Sequence, residues 1–285
     1  MPTIKDFLNK YYKKLDPLDL ELLIAAAINK PREFVLTHPE YKIKKSQISS
    51  LKSQILRRIK HEPIAYILGR KEFYGLEFKV NKNVLIPRPE TELLVESVLK
   101  LKPKKNIIID IGTGSGNIII SLVKNLKGEN TFFATDISSK ALSIAKQNAK
   151  KHKLSKEIKF LHGNLFTPFI ENCKLKIENS TMIIVANLPY LSYKIYNSTP
   201  KDVKNYEPQS ALLSSDSGLD HYKKLSKQLS EIKKKCSMFH VSCFMEISPE
   251  QKFPLKKAIL SAFPKCHITF FKDLAGKFRI IQIKL

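Results

Sequence analysis

An α/β protein with a largely parallel sheet, closed by an antiparallel last strand and preceded by a small helical domain, is the fold this sequence predicts. Three observations predict it. From Asn106 onward, short apolar runs alternate with amphipathic helical stretches. The first such run ends in a glycine-rich loop, Gly112-Thr113-Gly114-Ser115-Gly116, the usual exit from a strand into a nucleotide-binding helix. Residues 1–70, by contrast, carry only helical spacing.

In the amino-terminal part, Ile4, Phe7, Leu8, Tyr11, Tyr12 and Leu15 recur at helical intervals. Asp16-Pro17 reads as an N-cap followed by proline at the first helical position, opening an apolar helix from Leu18 to Ile28. Pro31 restarts a short segment, and Ile48, Leu51, Ile55, Leu56 and Ile59 form a further amphipathic stripe. Nothing here looks catalytic, so residues 1–70 are expected to serve substrate recognition or packing. Residues 71–89 are expected to be a hairpin and linker, with strand-forming residues on both sides of a turn at Gly75. Pro87 and Pro89 stiffen the loop Leu85 to Glu92 before a helix over Leu93 to Leu101, and the charged Arg88 and Glu90 within it predict a site wall.

Residues 90–285 then carry the sheet domain. Ile107–Ile111, Thr131–Asp136, Lys159–His162, Met182–Ala186 and Phe239–Ile247 read as strands. Between them lie helices over Ile118–Leu126, up to Lys151, and over Leu219–Lys235. Leu191 to Ser217 reads as a long loop holding Tyr206-Glu207-Pro208. A helix from Pro249 to Phe263 and two strands, Ile268–Phe271 and Phe278–Ile283, joined at Ala275-Gly276, finish the sheet as an antiparallel hairpin.

The chain has 285 residues, 43% of them apolar, enough for one large domain and a small one. No run approaches the ~20 apolar residues that span a bilayer, and the amino terminus lacks a signal-peptide pattern. Cys173, Cys236, Cys243 and Cys266 show no C-x-x-C spacing, and the histidines show no metal-ligand pairing. A reduced, cytoplasmic protein without metal or membrane is expected; no oligomer is predicted. The net charge of +24 comes mostly from lysines spread along the chain. That distribution fits the codon bias of an AT-rich genome better than a nucleic-acid face, while still implying a weak attraction to ribosomes or RNA.

The chemistry concentrates after the fourth strand, at Asn187-Leu188-Pro189-Tyr190. A carboxamide oxygen and a neighbouring carbonyl accept both hydrogens of an –NH2 group, and an aromatic ring covers a planar substrate. Neither acceptor is a useful base, so this set suits alkylation of an amide or amino nitrogen that is not deprotonated beforehand. The glycine loop has G-x-G-x-G spacing rather than the dinucleotide G-x-G-x-x-G, with Asp110 ahead of it. An acid there disfavours phosphate and suits the ammonium of a methionine moiety, and Asp136 is placed to take a ribose diol. Together these favour S-adenosylmethionine over NAD.

Tyr66-Ile67-Leu68-Gly69, Glu72-Phe73-Tyr74-Gly75, Leu85 to Glu92, Asp110 to Gly116, Asn187 to Tyr190 and Tyr206-Glu207-Pro208 resemble the bacterial release factor glutamine methyltransferases over nearly the whole chain. The resemblance implies a helical amino-terminal domain, a hairpin linker and a Rossmann-like class I methyltransferase domain. It also implies transfer of a methyl group from S-adenosylmethionine to the glutamine of the Gly-Gly-Gln motif of class 1 peptide chain release factors, supporting translation termination. By motif, Asp110, Gly112, Thr113, Gly114, Ser115, Gly116, Asp136 and Ile137 would hold the cofactor, Asn164 and Leu165 would flank its adenine, and Asn187 would touch both ligands. Asn187, Leu188, Pro189 and Tyr190, walled by Arg88, would hold the glutamine. Three departures stand out: Leu188 where the family usually has proline, Asn164 where an acid is commoner, and Ile247 where a glycine follows the fifth-strand acid. The Asn-Leu-Pro-Tyr form also resembles ribosomal RNA adenine dimethyltransferases, so methylation of the exocyclic amino group of adenine in ribosomal RNA or DNA is the alternative. A third reading is a binding protein that keeps the fold without catalysis.

Overall fold

The computed structural model describes residues 1–171, 181–235 and 240–285; Cys173, Cys236 and Phe239 lie outside the described residues. The chain divides into two compact units, Met1–Arg70 with Pro200–Tyr206, and Lys71–Thr199 with Glu207–Leu285.

The first unit is helical: Ile4–Tyr11, Pro17–Ile28, Arg32–Thr37, Lys45–Ile59 and Ile64–Leu68, joined by the distant helix Lys201–Tyr206. Asp16 caps its helix through Oδ1, which accepts from Leu18 N at 2.9 Å. Ile4, Leu20, Leu23, Ile24, Val35, Ile43, Leu51 and Ile55 are fully buried together, each contributing ~1.5–3 kcal/mol of apolar burial. The Tyr206 hydroxyl donates to the Lys60 carbonyl at 2.8 Å, fastening the late helix to the early ones.

The second unit opens with a hairpin, β1 (Arg70–Phe73) and β2 (Leu76–Lys79). Its turn places both Tyr74 and Gly75 at positive φ, 51° and 68°, the type I′ geometry that matches strand twist. Seven strands then form one sheet: β3 (Ile107–Ile111), β4 (Thr131–Asp136), β5 (Ile158–His162), β6 (Met182–Ala186), β7 (Val241–Glu246), β8 (His267–Lys272) and β9 (Phe278–Lys284). Their order is β5-β4-β3-β6-β7-β9-β8. The first five are parallel, and β9 runs antiparallel to both β7 and β8. β3 and β6 are buried at every residue, which is why their sequences are unbroken apolar runs interrupted only by Asp110.

Alternate residues feed two cores. Ile109, Ile184, Met245 and Ile281 pack on one face beneath Tyr222, Leu225, Leu255 and Ile259. Ile108, Ile183, Val185 and Phe244 pack on the other with Leu94, Val98, Ile119 and the hairpin's Phe73 and Phe78. Asn148 ties hairpin to loop: its Oδ1 accepts from Lys79 N at 2.7 Å, while its Nδ2 donates to the carbonyls of Lys79 and Ser115 at 3.0 and 2.8 Å.

The stretch expected to be one long loop, Leu191 to Ser217, is instead a series of short turns of helix: Tyr193–Asn197, Lys201–Tyr206, Gln209–Ala211 and Ser215–Gly218. Segments of three to six residues are too short to display helical periodicity in sequence. The same limit hides Ile64–Leu68 and Thr167–Glu171. Among the described residues no helix is long and apolar enough to cross a membrane.

Candidate functional site

β3 is flanked by β4, which follows it, and by β6, which starts the other half of the sheet. At such a switch point the loops leaving adjacent strands diverge and a crevice opens beyond their carboxyl ends. A cavity of about 250 Å³ lies there, with Ile111 in register with Thr135 on one side and Ala186 on the other. Gly112, Thr113, Gly114 and Ser115 form one wall; Asp136, Ile137, Asn164 and Leu165 a second; Asn187, Leu188 and Pro189 a third; Arg88 and Thr91 complete it from the proline-stiffened loop.

The glycines answer to geometry. Gly112 has φ 73°, and a Cβ there would stand 3.3 Å from Leu188 Cδ2. Gly116 has φ 80° and caps the helix Asn117–Asn125, where a Cβ would meet Ile120 at 3.1 Å and Ala145 at 3.3 Å. Side chains at these positions would both strain the backbone and spread the loop. Gly116 itself packs behind the wall rather than lining it.

Asp136 ends β4 with its two oxygens divided: Oδ2 accepts from Gly114 N and Oδ1 from Ser138 N, both at 2.8 Å. Each oxygen keeps a lone pair for a further donor. Burial raises its pKa, opposed by those two N–H groups and by His162. Asp110 behaves differently from expectation. It is fully buried behind the loop, does not line the cavity, and takes the Thr113 hydroxyl on Oδ2 at 2.6 Å. Burial pushes it up to about 7, Thr113 pulls it down and the charge of Asp136 adds to the rise. Asp110 therefore braces the loop, where direct contact with a ligand ammonium was expected.

Asn187 lines the cavity and directs its amide N–H at Thr91 Oγ1, 3.2 Å away, while its carboxamide oxygen takes no hydrogen bond among the described residues. Leu188 is 2% exposed and part of the core. That apolar packing helps hold the turn in place. Tyr190 does not line the cavity. Its hydroxyl turns toward Glu246 Oε1 at 3.5 Å, and burial raises its pKa strongly. Tyr190 is half-buried, packed against the core behind the turn.

Gln251 and His221 have no local sequence signal, whereas Glu207 lies in the Tyr206-Glu207-Pro208 motif. Gln251 holds the turn's far end, donating through Nε2 to the carbonyls of Tyr190 and Gly218 at 3.1 and 2.9 Å and accepting from Ser248 N at 3.0 Å. Glu207, whose side chain is 1% exposed, pairs with Arg88 and also accepts from Ile86 N at 3.1 Å. This joins two sequence motifs into one wall. His221 lines the cavity with Nδ1 3.1 Å from Ser214 Oγ, and burial holds its pKa below the ordinary value, opposed by Asp220. Glu246, an acid at a strand end like Asp136, carried the one signal that could have been followed. Among the described residues no cluster of three His, Cys, Asp or Glu side chains could hold a metal ion.

The fold belongs to the methyltransferases: a family profile described as "Methyltransferase domain" matches residues 102–263, and one described as "PrmC N-terminal domain" matches residues 3–69. The chain is 35% identical to a release factor glutamine methyltransferase of Dictyoglomus turgidum, over 97% of this chain and 95% of that protein. It is also 35% identical to one from Clostridium botulinum, over 94% and 91%. The chain belongs to the release factor glutamine methyltransferase family. It is 34% identical to a bifunctional methyltransferase of Rickettsia bellii, of which it spans 55% of the length while 99% of this chain is covered. The hMettl16 catalytic domain, solved in complex with a MAT2A 3'UTR hairpin, shares the fold with a TM-score of 0.58 at 19% identity, covering 93% of this chain and 90% of that one.

Proposed function

We propose that the chain transfers a methyl group from S-adenosylmethionine to the side-chain amide nitrogen of the glutamine in the Gly-Gly-Gln motif of class 1 peptide chain release factors. One observation carries the reading: the Asn187 carboxamide lines the cavity with its N–H committed to Thr91 and its oxygen free.

The cradle suits the cofactor. Asp136 retains an acceptor on each oxygen for a ribose diol, and Gly112 leaves room that a Cβ would fill. Gly112 to Ser115, Asp136, Ile137, Asn164 and Leu165 would hold S-adenosylmethionine, with Asp110 and Gly116 shaping the loop from behind. When bound, the cofactor supplies an electrophilic methyl on a sulfonium, and the S–C bond electrons return to sulfur as the N–C bond forms. The chain's own task is to aim a poor nucleophile. An amide nitrogen shares its lone pair with its carbonyl, and the Asn187 oxygen and Leu188 carbonyl would accept its two hydrogens and so orient what lone-pair density remains. Fixed alignment is worth up to ~7–11 kcal/mol of barrier. The extra proton then passes to solvent. Arg88, locked to Glu207, keeps the wall of the substrate side in place.

The helical unit is proposed to read the protein substrate. It exposes Leu18, Leu36 and Leu56, each about half accessible, and their replacement by glutamate should raise KM for a release factor without changing cofactor Kd. The same amide clamp would also suit the exocyclic amino group of adenine. Incubation of the full chain with labelled S-adenosylmethionine, with a class 1 release factor and with ribosomal RNA in parallel, separates the readings. Label on the factor's glutamine supports the proposal, and label only in RNA refutes it. Asn187→Ala should lose most turnover with cofactor Kd unchanged; full turnover in that variant removes Asn187 from the mechanism.

A further inference from the structure

We infer that His221 contacts the substrate polypeptide through Nε2 and so helps set which chains the site accepts. This contact rests on the reading of the turn at Asn187 to Tyr190 as the holder of the target amide, and deepens it.

His221 is the second residue of the helix Asp220–Lys235, and two ties fix the start of that helix to the turn. The Leu191 N–H donates to the Leu212 carbonyl and the Ser214 N–H to the Leu191 carbonyl, both at 2.9 Å, so residues 212–214 run beside the chain leaving Tyr190. Gln251 then holds the carbonyls of Tyr190 and Gly218 together. The same helix reaches the wall of Asn164 and Leu165 only two turns later, where Gln228 Oε1 accepts from Phe166 N at 2.9 Å. Seven residues of helix are ~10 Å. His221 thus stands on the amide side of the cavity, and Gln228 serves the side proposed for adenine.

One ring nitrogen is engaged and the other is not. Nδ1 lies 3.1 Å from the hydroxyl of Ser214, a residue only 2% exposed, which anchors the imidazole from one edge. Nε2 has no hydrogen-bond partner among the described residues, while the half-buried ring lines the cavity. An imidazole nitrogen donates or accepts one hydrogen bond according to its tautomer. Pro208, Ser210 and Ala211 line the same part of the cavity. Their side chains are short, which leaves width for a polypeptide, and a backbone offers an N–H or a carbonyl at every residue.

Binding suits this histidine better than proton removal. A histidine acting as a base is oriented by a carboxylate on its far nitrogen. Here a serine hydroxyl takes that place, and the adjacent Asp220 is paired with Lys224 at 2.7 Å.

Kinetics of the full chain with a class 1 release factor and labelled S-adenosylmethionine test the contact. The side-chain amide of glutamine reaches to where Nε2 stands, and that of asparagine to where Nδ1 stands. His221→Asn keeps a partner for Ser214 and loses the cavity nitrogen. Its KM for the release factor should rise roughly 3- to 10-fold, the scale of one hydrogen bond, with kcat and cofactor Kd by calorimetry unchanged. His221→Gln should hold KM near the wild-type value. A glutamine variant impaired as much as the asparagine one, as for a purely structural histidine, overturns the inference. So does an unchanged KM in both, or a cofactor Kd that weakens with KM. In the wild type saturated with S-adenosylhomocysteine, the 15N signal of His221 Nε2, identified by its loss in the variants, should move when the release factor is added. A signal that stays in place overturns the contact, whatever the variants do. Full turnover in Asn187→Ala, or label only in RNA, would instead overturn the underlying reading of the site.

Discussion

Gln251 gives the sharpest quantitative handle on how the catalytic turn is held. Its carboxamide is 3% exposed and makes three bonds, to the carbonyls of Tyr190 and Gly218 and from Ser248 N. Gln251→Leu preserves most of the volume and removes all three. Each buried backbone group left unpaired costs about 1–3 kcal/mol, so the three sum to about 3–9 kcal/mol. The added apolar burial returns at most ~2 kcal/mol. Deducted in full, that return leaves a net loss of about 1–7 kcal/mol, against the ~5–15 kcal/mol typical of a domain. Urea denaturation of the full chain followed by circular dichroism measures it. Gln251→Glu sharpens the test: a carboxylate faces two carbonyl oxygens, so this variant should be weaker at pH 8 than at pH 5, where a proton restores one donor. A loss below about 1 kcal/mol in the leucine variant, too small for even one orphaned group, refutes the clamp.

Other outcomes follow from the same geometry. Asp136→Asn keeps only one acceptor oxygen for two backbone N–H groups, and S-adenosylmethionine binding by calorimetry should weaken at least ~100-fold; an unchanged Kd removes Asp136 from the cofactor site. Arg88→Met strands the buried Glu207 carboxylate and should cost about 3 kcal/mol in denaturant, with Glu207→Gln in the same chain recovering part of it because Ile86 N keeps its acceptor; additive losses would contradict the pairing. Asp110, Asp136 and Glu246 all have raised folded-state pKa values. Their protons stay bound in the folded chain after the unfolded chain has released them, so their stabilisation is complete below the ordinary carboxyl range and is lost as pH climbs, through about 7 for Asp110 and Glu246. Tm should therefore fall between pH 5 and pH 8, less steeply in Glu246→Gln, and a Tm that rises over this interval contradicts the assignment.

Much of the sheet was legible because β3, β4 and β6 are short apolar runs bounded by turn residues, and their ends fall where the runs end. Asp16-Pro17 announced a helix start for the same local reason. The helical turns between Leu191 and Ser217 were not legible, since each is shorter than the window in which periodicity appears; Asp216 and Ser217 even adopt positive φ inside one of them. At the site, local motifs named the residues of the glycine loop, Asp136 and Asn187, which the fold brings to one cavity. What escaped is the layer behind them. Glu246 meets Tyr190 only because β7 lies beside β6, and Gln251 meets Tyr190 only because a helix start returns under the turn. No spacing along the chain encodes such meetings. The same ignorance of neighbours led to Asp110 and Tyr190 being expected in the cavity, when each stands one layer back.

The helix Lys201–Tyr206 belongs with the amino-terminal helices although the sheet unit brackets it on both sides. During synthesis, the early helices leave the ribosome long before their last partner, and the hydroxyl of Tyr206 reaches Lys60 across 146 positions of chain. The first unit thus waits, one helix short, until more than half of the sheet's strands have been made, and severing the gene after residue 70 would leave that unit divided between two fragments.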